Sequence, residues 1–281
     1  MLIKDVIQKM KDYYQGEWLG NKIDDNTTRD KVLYGDVDKE CTGIVTTIYA
    51  SIDVIKKAKE LNANLIICHE ALFYNHGDKQ DWLKENNNQT YLEKTKLLDE
   101  YDITVWRCHD YIHSGIPVDG KYVDGIFYGI AKILGWDNAK LDRNIEGALY
   151  YECDTTVKEV ASLLKEKWHL NSIKCIGNKD AKVNKILVCG HINEGIDIKP
   201  LINRINEDDI NLLLPLELID FTLTEYIKDS GQLGHDKAIL AAGHFNLEET
   251  GMEYMLNYID DALGCHIETT FIPVADMYEY L

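Results

Sequence analysis

The first half of the chain alternates short apolar runs with amphipathic segments. Three runs rich in β-branched residues predict buried strands: GIVTTIYA, NLIIC and ITVWRC. Between the first two, the apolar positions of residues 52–61 recur at helical spacing, and a second helix is predicted over residues 81–100. Residues 43–108 therefore predict two consecutive βαβ crossovers, with parallel strands and with helices on the faces of the sheet.

The second half repeats this alternation. A helix is predicted over residues 122–136 and is followed by a polar stretch, which places a lobe boundary there and divides the chain into lobes 1–137 and 138–281. Residues 185–217 then predict a strand, a turn, a helix and a strand. Residues 236–264 predict an apolar strand, a Gly-His turn and a helix whose apolar face holds Met252, Met255, Leu256, Ile259 and Leu263.

Composition narrows the range of functions. The net charge of −18 on 281 residues disfavours nucleic acid as a partner, because binding to a phosphate backbone draws on clustered Lys and Arg. The chain has neither a long apolar run nor a leader-like N-terminus, so no membrane association and a cytoplasmic location are expected. The seven cysteines are scattered without CxxC spacing, which predicts reduced thiols.

Side chains that bind metals follow three of the predicted strands. They are His69 and Glu70, then His109, Asp110 and His113, and finally His244 and Glu248. In open parallel sheets, ligands bind beyond the carboxyl ends of the strands, where such residues converge. Imidazole together with carboxylate suits zinc, iron or manganese rather than calcium. Because there are more ligands than one zinc ion needs, the pattern predicts two divalent transition-metal ions.

Other residues near these clusters receive simpler interpretations. Cys68 and Cys108 each precede a histidine by one position, so in an extended strand they point to the opposite face and are expected to be core thiols. His76 and Asp78 are expected at the surface of a loop. His191 follows KILVCG in a predicted strand-to-helix turn, where a turn role is expected and contact with an anionic ligand is the alternative.

The motifs resemble a known family. The opening MLIKDVIQKM, the segment NLIICHEALF, the segment RCHDYIH and the closing AGHFNLEETGMEYMLNYI are similar to the GTP cyclohydrolase I type 2-like family, also called Ngg-one-interacting-factor-three-like proteins. The resemblance covers nearly the whole chain. The family pattern is a strand ending in His-His, a second strand ending in His-x3-Asp, and a late Gly-His-x3-Glu.

This sequence departs from that pattern at two positions. His69 matches the first His of the pair, and Glu70 replaces the second. His109 matches the leading His of the second motif, while His113 occupies the position of the metal-binding Asp. The two substitutions leave the number of imidazoles and carboxylates unchanged, which indicates a compensated site. An alternative makes Asp110 the ligand, with His113 behind it.

The third motif is intact as His244 and Glu248. The resemblance implies that two divalent transition-metal ions (zinc, iron or manganese) are held by five side chains: His69, Glu70, His113, His244 and Glu248. It assigns His109 to orienting ligands or transferring a proton in catalysis. It also implies an α/β fold of two intertwined lobes built from βαβ units with mixed sheets, a metal site in the cleft, and a homohexamer.

Two functional hypotheses follow. The first is a metal-dependent hydrolase that attacks a small, nucleotide-like substrate with a metal-activated water; for GTP, attack at the imidazole carbon of the purine would release formate. The alternative is a non-catalytic metal-binding scaffold or metal-handling oligomer that recruits protein partners. A third reading, structural histidines in a Rossmann-like binding protein, is disfavoured because three clusters lie at corresponding strand ends.

Overall fold

The structure is a computed structural model that describes residues 1–18, 20–141, 147–193, 195 and 197–281. Internal packing divides the chain into two compact units. Unit 1 comprises Met1–Gly129 and Gly251–Val274, and unit 2 comprises Ile130–Thr250 and Ala275–Leu281. Residues 251–274 thus pack with unit 1, while the lobes 1–137 and 138–281 expected from the sequence stay a prediction of domain organisation.

The elements of the first part of the chain are, in order, α1 (Ile3–Tyr13), β1 (Glu17–Trp18), β2 (Asn21–Lys22), β3 (Val32–Tyr34), β4 (Ile44–Thr47), α2 (Ile52–Glu60), β5 (Leu65–Cys68), α3 (Asp81–Glu85), α4 (Gln89–Tyr101), β6 (Thr104–Arg107), α5 (Asp110–Ser114), β7 (Ile116–Val118), β8 (Lys121–Val123), α6 (Gly125–Ile133) and β9 (Lys140–Leu141).

The elements that follow are β10 (Gly147–Thr156), α7 (Val157–Lys167), β11 (Lys174–Gly177), β12 (Lys182–Ile192), α8 (Lys199–Glu207), β13 (Leu212–Leu218), α9 (Leu223–Gln232), β14 (Ala238–Ala241), α10 (His244–Tyr254), a 3₁₀ turn (Met255–Asn257), α11 (Ile259–Leu263) and β15 (Thr269–Phe271).

Unit 1 is built on a five-stranded sheet with the order β15-β4-β5-β6-β3. The first four strands are parallel, and β3 pairs antiparallel with β6. Every residue of β4, β5 and β6 is buried, as expected for parallel strands covered on both faces. The predicted parallel βαβ crossovers are therefore confirmed, and they direct the carboxyl ends of β5 and β6 to the same edge.

Local sequence explains the helices that cover this sheet. Ser51 caps α2 by accepting a hydrogen bond from the backbone N–H of Val54 at 3.2 Å, and α2 buries Val54, Ile55 and Ala58. The single helix predicted over residues 81–100 is wrong: the segment forms α3 and α4. Asn87 has a positive φ of 49° between them, and the side chain of Asn88 caps α4.

The helix predicted over residues 122–136 is also shorter than expected. Lys121–Val123 is the second strand of the β7–β8 hairpin, whose turn places Asp119 and Gly120 at positive φ values of 48° and 77°, the conformation that Asp-Gly favours in two-residue hairpin turns. The polypeptide then passes through Asp124 into α6. Asp124 is thereby held at the start of a helix, which matters for the site described below.

Unit 2 is built on a six-stranded sheet with the order β11-β14-β13-β12-β10-β9. Its central strands β12, β13 and β14 are parallel, and β9, β10 and β11 pair antiparallel. The strand, turn, helix and strand predicted over 185–217 are confirmed as β12, α8 and β13. The helix predicted within 236–264 is interrupted by the 3₁₀ turn, and of its predicted apolar face Leu256 is exposed.

None of the helices among the described residues is both long enough and apolar enough to cross a membrane.

Candidate metal centre

Two histidines meet at the carboxyl edge of the unit 1 sheet. Cys68 of β5 lies beside Arg107 of β6 in the parallel register, and the backbone N–H of Cys108 donates to the carbonyl of Cys68 at 2.8 Å. The next residues, His69 and His109, therefore project side by side. Their rings stack with 4.5 Å between centroids and an angle of 14° between planes.

His113 completes a group that we call the histidine trio: His69, His109 and His113. It lies in α5, one helical turn beyond His109, and its ring centroid is 4.9 Å from that of His69 and 5.2 Å from that of His109. One ring nitrogen from each residue lies within 4.8 Å of the others. The strand ends thus bring together the three unit 1 histidines that the sequence singled out.

The three rings share a hydrogen-bonding arrangement. The Nδ1 atom of His69 lies 3.0 Å from the carbonyl of Cys108, that of His109 lies 2.9 Å from Asp110 Oδ1, and that of His113 lies 2.9 Å from Asp124 Oδ2. A carbonyl or carboxylate oxygen accepts hydrogen bonds, so each Nδ1 carries the proton and each Nε2 carries the lone pair. This is the tautomer of a histidine that binds a metal through Nε2.

The electrostatics of His109 and Asp110 agree with this assignment. Burial, and to a smaller extent the neighbouring His69, hold the pKa of His109 well below its ordinary value. Burial alone would raise the pKa of Asp110, but hydrogen bonds from His109, from the backbone of Arg29 and from Thr28 outweigh it and lower that pKa. His109 is therefore neutral and Asp110 is ionised at physiological pH, which is the state that metal binding requires of the imidazole.

The carboxylate of Asp110 is occupied by these donors. Its Oδ2 accepts from Thr28 Oγ1 at 2.9 Å and from the Arg29 N–H at 3.0 Å, while Oδ1 faces His109. The His113 ring, in contrast, faces the other two imidazoles. This arrangement favours His113 over Asp110 as the ligand and makes Asp110 the residue that orients His109.

Glu70 lies beside the trio and is paired with a buried arginine. Arg107 Nη2 donates to Glu70 Oε2 at 2.9 Å, and Arg107 Nη1 donates to Asp78 Oδ2 at 2.9 Å. The guanidinium also contacts Nδ1 of His76 at 3.2 Å. Single ligand atoms of Glu70, His76 and His109 lie within 4.8 Å of one another, so Glu70 and His76 both lie next to the trio.

These contacts correct one expectation. Asp78 was expected at the surface, but its side chain is only 11% exposed because it is paired with Arg107. The side chain of His76 is 55% exposed, as expected of a loop residue, although it contacts the same arginine. Cys68 and Cys108 are fully buried, as expected of core thiols, and burial raises the pKa of Cys68 to about 12.

A second group lies within unit 2, and we call it the unit 2 group: His191, Glu217, His244 and Glu248. The parallel register of β12 and β13 sets His191 beside Glu217, and α10 begins at His244 directly after β14 and a two-residue turn. His191 Nδ1 lies 2.6 Å from Glu217 Oε2, Glu217 Oε1 lies 2.9 Å from His244 Nδ1, and His244 Nε2 lies 2.7 Å from Glu248 Oε2.

The side chains of this group differ in exposure. Glu248 is 4% exposed, His244 is 19% exposed, and His191 and Glu217 are each about half exposed. Burial would raise the pKa of Glu217, but its hydrogen bonds with His244 and His191 outweigh this and lower the pKa. Glu217 is therefore an ionised acceptor between two imidazoles.

The sequence motifs do not predict that Glu217 contacts both His191 and His244. The turn position expected for His191 is wrong, because the residue lies in β12 and faces Glu217. The signal was present in the printed sequence: Glu217 is the one acid in LLLPLEL, an apolar run interrupted near its carboxyl end like the run before His69. Pairing it with His191 requires the strand register, which only the fold supplies.

Relatives carry names consistent with the resemblance. A protein of Clostridium acetobutylicum named GTP cyclohydrolase 1 type 2 homolog is 24% identical over 243 residues, which are 83% of this chain and 81% of that protein. A protein of the same name from Staphylococcus aureus is 23% identical over 214 residues, 76% of this chain. That match spans about half of the S. aureus protein, 52% of its length.

The fold is shared with a solved structure. The crystal structure of a hypothetical protein from Staphylococcus aureus matches with a TM-score of 0.70 and 17% identity, covering 100% of this chain and 99% of the other. The model of one protein family, described as Duf34/NIF3 (NGG1p interacting factor 3), matches residues 1–277. The resemblance seen in the motifs is thereby confirmed, and the chain belongs to the Duf34/NIF3 family.

Proposed function

We propose that the protein is a metal-dependent hydrolase that binds two divalent transition-metal ions, zinc, iron or manganese, and acts on a small molecule. One observation carries the proposal: each ring of the histidine trio has its Nδ1 held by an acceptor, which leaves Nε2 as the donor atom for a metal. Histidines with a purely structural role need not all share the same tautomer. Three imidazoles that each present Nε2 suit a catalytic site of the zinc type.

The proposed ligands are the histidine trio with Glu70 and, from the family motif Gly-His-x3-Glu, His244 with Glu248. The sequence assigns His109 to orienting ligands or transferring a proton, but its ring stacks on that of His69 and its Nδ1 is held by an acceptor like those of its neighbours, so we include it among the ligands. The second metal ion, the intertwined lobes and the homohexamer belong to this proposal through the family resemblance, and the cytoplasmic location belongs to it as an expectation from the sequence.

The metal ions and the residues around them would have different roles in the reaction. Metal ions bound here would supply a water of lowered pKa and polarise the substrate. Arg107 holds Glu70 in place and balances its charge. Asp110 and Asp124 keep the protons of His109 and His113 on Nδ1, so that these rings meet a cation with their lone pairs and need no reorganisation.

The substrate is proposed from chemistry as well as from the names of relatives. Relatives called GTP cyclohydrolase 1 type 2 homolog make a purine nucleotide one substrate to test. The net charge of −18 disfavours a triphosphate electrostatically, because an acidic protein repels anions. Phosphoesters with less charge and cyclic amides are therefore tested beside GTP.

The test begins with metal content. Wild-type protein should bind zinc, iron or manganese by elemental analysis, and His113→Ala should lose metal. His266→Ala is the control, since the His266 side chain is 71% exposed and bonded to Asp260. A wild type without metal, or equal content in His113→Ala, would sink the proposal. Metal-dependent turnover that is absent in His113→Ala supports the hydrolase, while binding without any turnover favours the metal-handling scaffold.

A further inference from the structure

We infer that Glu217 is the positioning residue for His244, and that His191 in turn holds Glu217. The inference rests on the proposed function, since it assumes that His244 binds a metal. It adds two residues, Glu217 and His191, to the machinery. Neither belongs to the motifs on which the family resemblance depends.

The fold places these side chains in one row. His191 and Glu217 are partners in the parallel register of β12 and β13, so the strand pairing itself fixes their separation. His244 opens α10 just beyond β14, the next strand of the sheet. Three successive carboxyl ends of one parallel sheet thus present imidazole, carboxylate and imidazole, at the edge where such sheets bind ligands.

His244 then follows the arrangement of the histidine trio. In all four rings an oxygen acceptor lies 2.9–3.0 Å from Nδ1, and for His244 that acceptor is Glu217 Oε1. A carboxylate in this position fixes the tautomer and the ring orientation and raises the basicity of the other nitrogen. Glu217 therefore does for His244 what Asp124 does for His113.

Burial identifies the side of the ring that binds metal. Nε2 of His244 faces Glu248, whose side chain is 4% exposed, while Nδ1 faces Glu217, whose side chain is 49% exposed. A buried carboxylate requires a positive partner, whereas an exposed one is stabilised by water. A cation between Nε2 and Glu248 would replace the proton that now joins them, and Glu217 would stay an acceptor.

His191 acts on Glu217 rather than on the metal. Its Nδ1 donates to Glu217 Oε2 at 2.6 Å, which leaves Oε1 directed at His244. The competing arrangement puts the metal among His191, Glu217 and His244, because single ligand atoms of these three also lie within 4.8 Å of one another. The two arrangements predict different behaviour of the Glu217 variants.

The experiment measures Zn²⁺ affinity by chelator competition in wild type, Glu217→Ala, Glu217→Gln and His191→Ala. Glu225→Ala, which removes an exposed acid from α9, is the control and should match wild type. We expect Glu217→Ala to weaken Zn²⁺ binding about 10–100-fold. Glu217→Gln should recover most of the affinity, since its amide oxygen can accept from His244 Nδ1 while its NH₂ group faces Nδ1 of His191, a ring that can carry its proton on Nε2 instead. His191→Ala should have the smaller effect.

Two further readouts separate positioning from ligation and from misfolding. The Co²⁺ absorption spectrum should keep its band positions in all variants, because no ligand is removed. In metal-free protein, long-range ¹⁵N NMR should show His244 losing its preference for a proton on Nδ1 in Glu217→Ala. The thermal midpoints of the metal-free variants should match that of wild type.

Three outcomes overturn the inference. Wild-type affinity in Glu217→Ala shows that Glu217 does not position His244. Loss of one metal equivalent in both Glu217→Gln and His191→Ala, with a changed Co²⁺ spectrum, makes these residues ligands. A wild type that binds neither Zn²⁺ nor Co²⁺ removes the proposed function, and this inference with it, so the two failures are distinguished by the wild type alone.

Discussion

The buried guanidinium of Arg107 donates a hydrogen bond to the carboxylate of Glu70, with 2.9 Å between Nη2 and Oε2. Arg107 is fully buried and lies at the end of β6, beside the strand that delivers Glu70. The family pattern places a second histidine at position 70. A carboxylate there carries an extra negative charge, and Arg107 balances it within the same sheet edge.

The Arg107→Met variant should therefore have a lower free energy of unfolding than wild type. The substitution removes the cation and leaves the carboxylates of Glu70 and Asp78, each only 11% exposed, without it; breaking a buried pair in this way costs about 3–5 kcal/mol. Denaturant unfolding of metal-free protein measures the effect. Lys57→Met, which breaks an exposed pair with Glu60, is the control and should cost less than about 1 kcal/mol. Equal losses in the two variants would contradict the prediction.

Asp124→Asn should weaken metal binding while it changes the stability of the fold little. Asp124 Oδ1 accepts from the backbone N–H groups of Ile126 and Phe127, and Oδ2 accepts from His113. Asparagine keeps an oxygen for the helix cap and turns its NH₂ group toward His113 Nδ1, which then must accept. The proton moves to Nε2, so metal affinity should fall about 10–100-fold.

The free energy of unfolding of metal-free Asp124→Asn should change far less than its metal affinity does. Asp137→Asn, at an aspartate whose side chain is 76% exposed, controls for the loss of charge and should bind metal like wild type. Unchanged Zn²⁺ affinity in Asp124→Asn would show that the tautomer of His113 is not set by this contact.

Much of the unit 1 site could be predicted because it depends on two local rules. Apolar runs predicted the strands, and parallel strands present their carboxyl ends at one edge, so His69 and His109 had to be neighbours. The i, i+4 spacing then brought His113 to the same side. The family resemblance, confirmed over residues 1–277, supplied the remaining proposed ligands.

Contacts that depend on tertiary structure were not accessible. The sequence does not reveal that Arg107 turns inward to Glu70 and Asp78, because a basic residue at a strand end is ordinarily solvated. The pairing of His191 with Glu217 depends on the register of two strands separated by a helix. Both are electrostatic pairs across the sheet, which a hydrophobic pattern does not encode.

Gly251→Ala should destabilise unit 1 although alanine is the better helix former. A Cβ at Gly251 in α10 would lie 2.6 Å from Ile126 Cα, a backbone atom of α6 that cannot move aside. Overpacking of this kind costs about 1–3 kcal/mol, against a gain in helix propensity of about 1 kcal/mol. A lowered thermal midpoint checks the prediction. Gly77→Ala, where the nearest atom would lie 3.6 Å away, should be neutral or slightly stabilising.

Lys94 should make stability depend on pH in the alkaline range. Its amine is buried, donates to the carbonyl of Leu72 at 2.8 Å, and lies 5.7 Å from the centroid of the Phe73 ring. Burial lowers the pKa of Lys94 from 10.5 to about 8, against a smaller opposing effect of Cys68. Between these values the unfolded chain keeps a proton on this amine that the folded chain has released.

The contribution of Lys94 to the free energy of unfolding should therefore rise by up to about 3 kcal/mol between pH 8 and about 10.5. Above that pH it should be constant. Other groups titrate in this range, so the difference between wild type and Lys94→Met isolates the contribution. Lys96→Met, at a lysine whose side chain is 74% exposed, should follow the wild-type pH profile. If the free energies of unfolding of Lys94→Met and wild type instead follow parallel pH profiles between pH 7 and 10.5, the amine stays protonated in the folded chain. Burial then does not lower the pKa of Lys94, and the prediction is wrong.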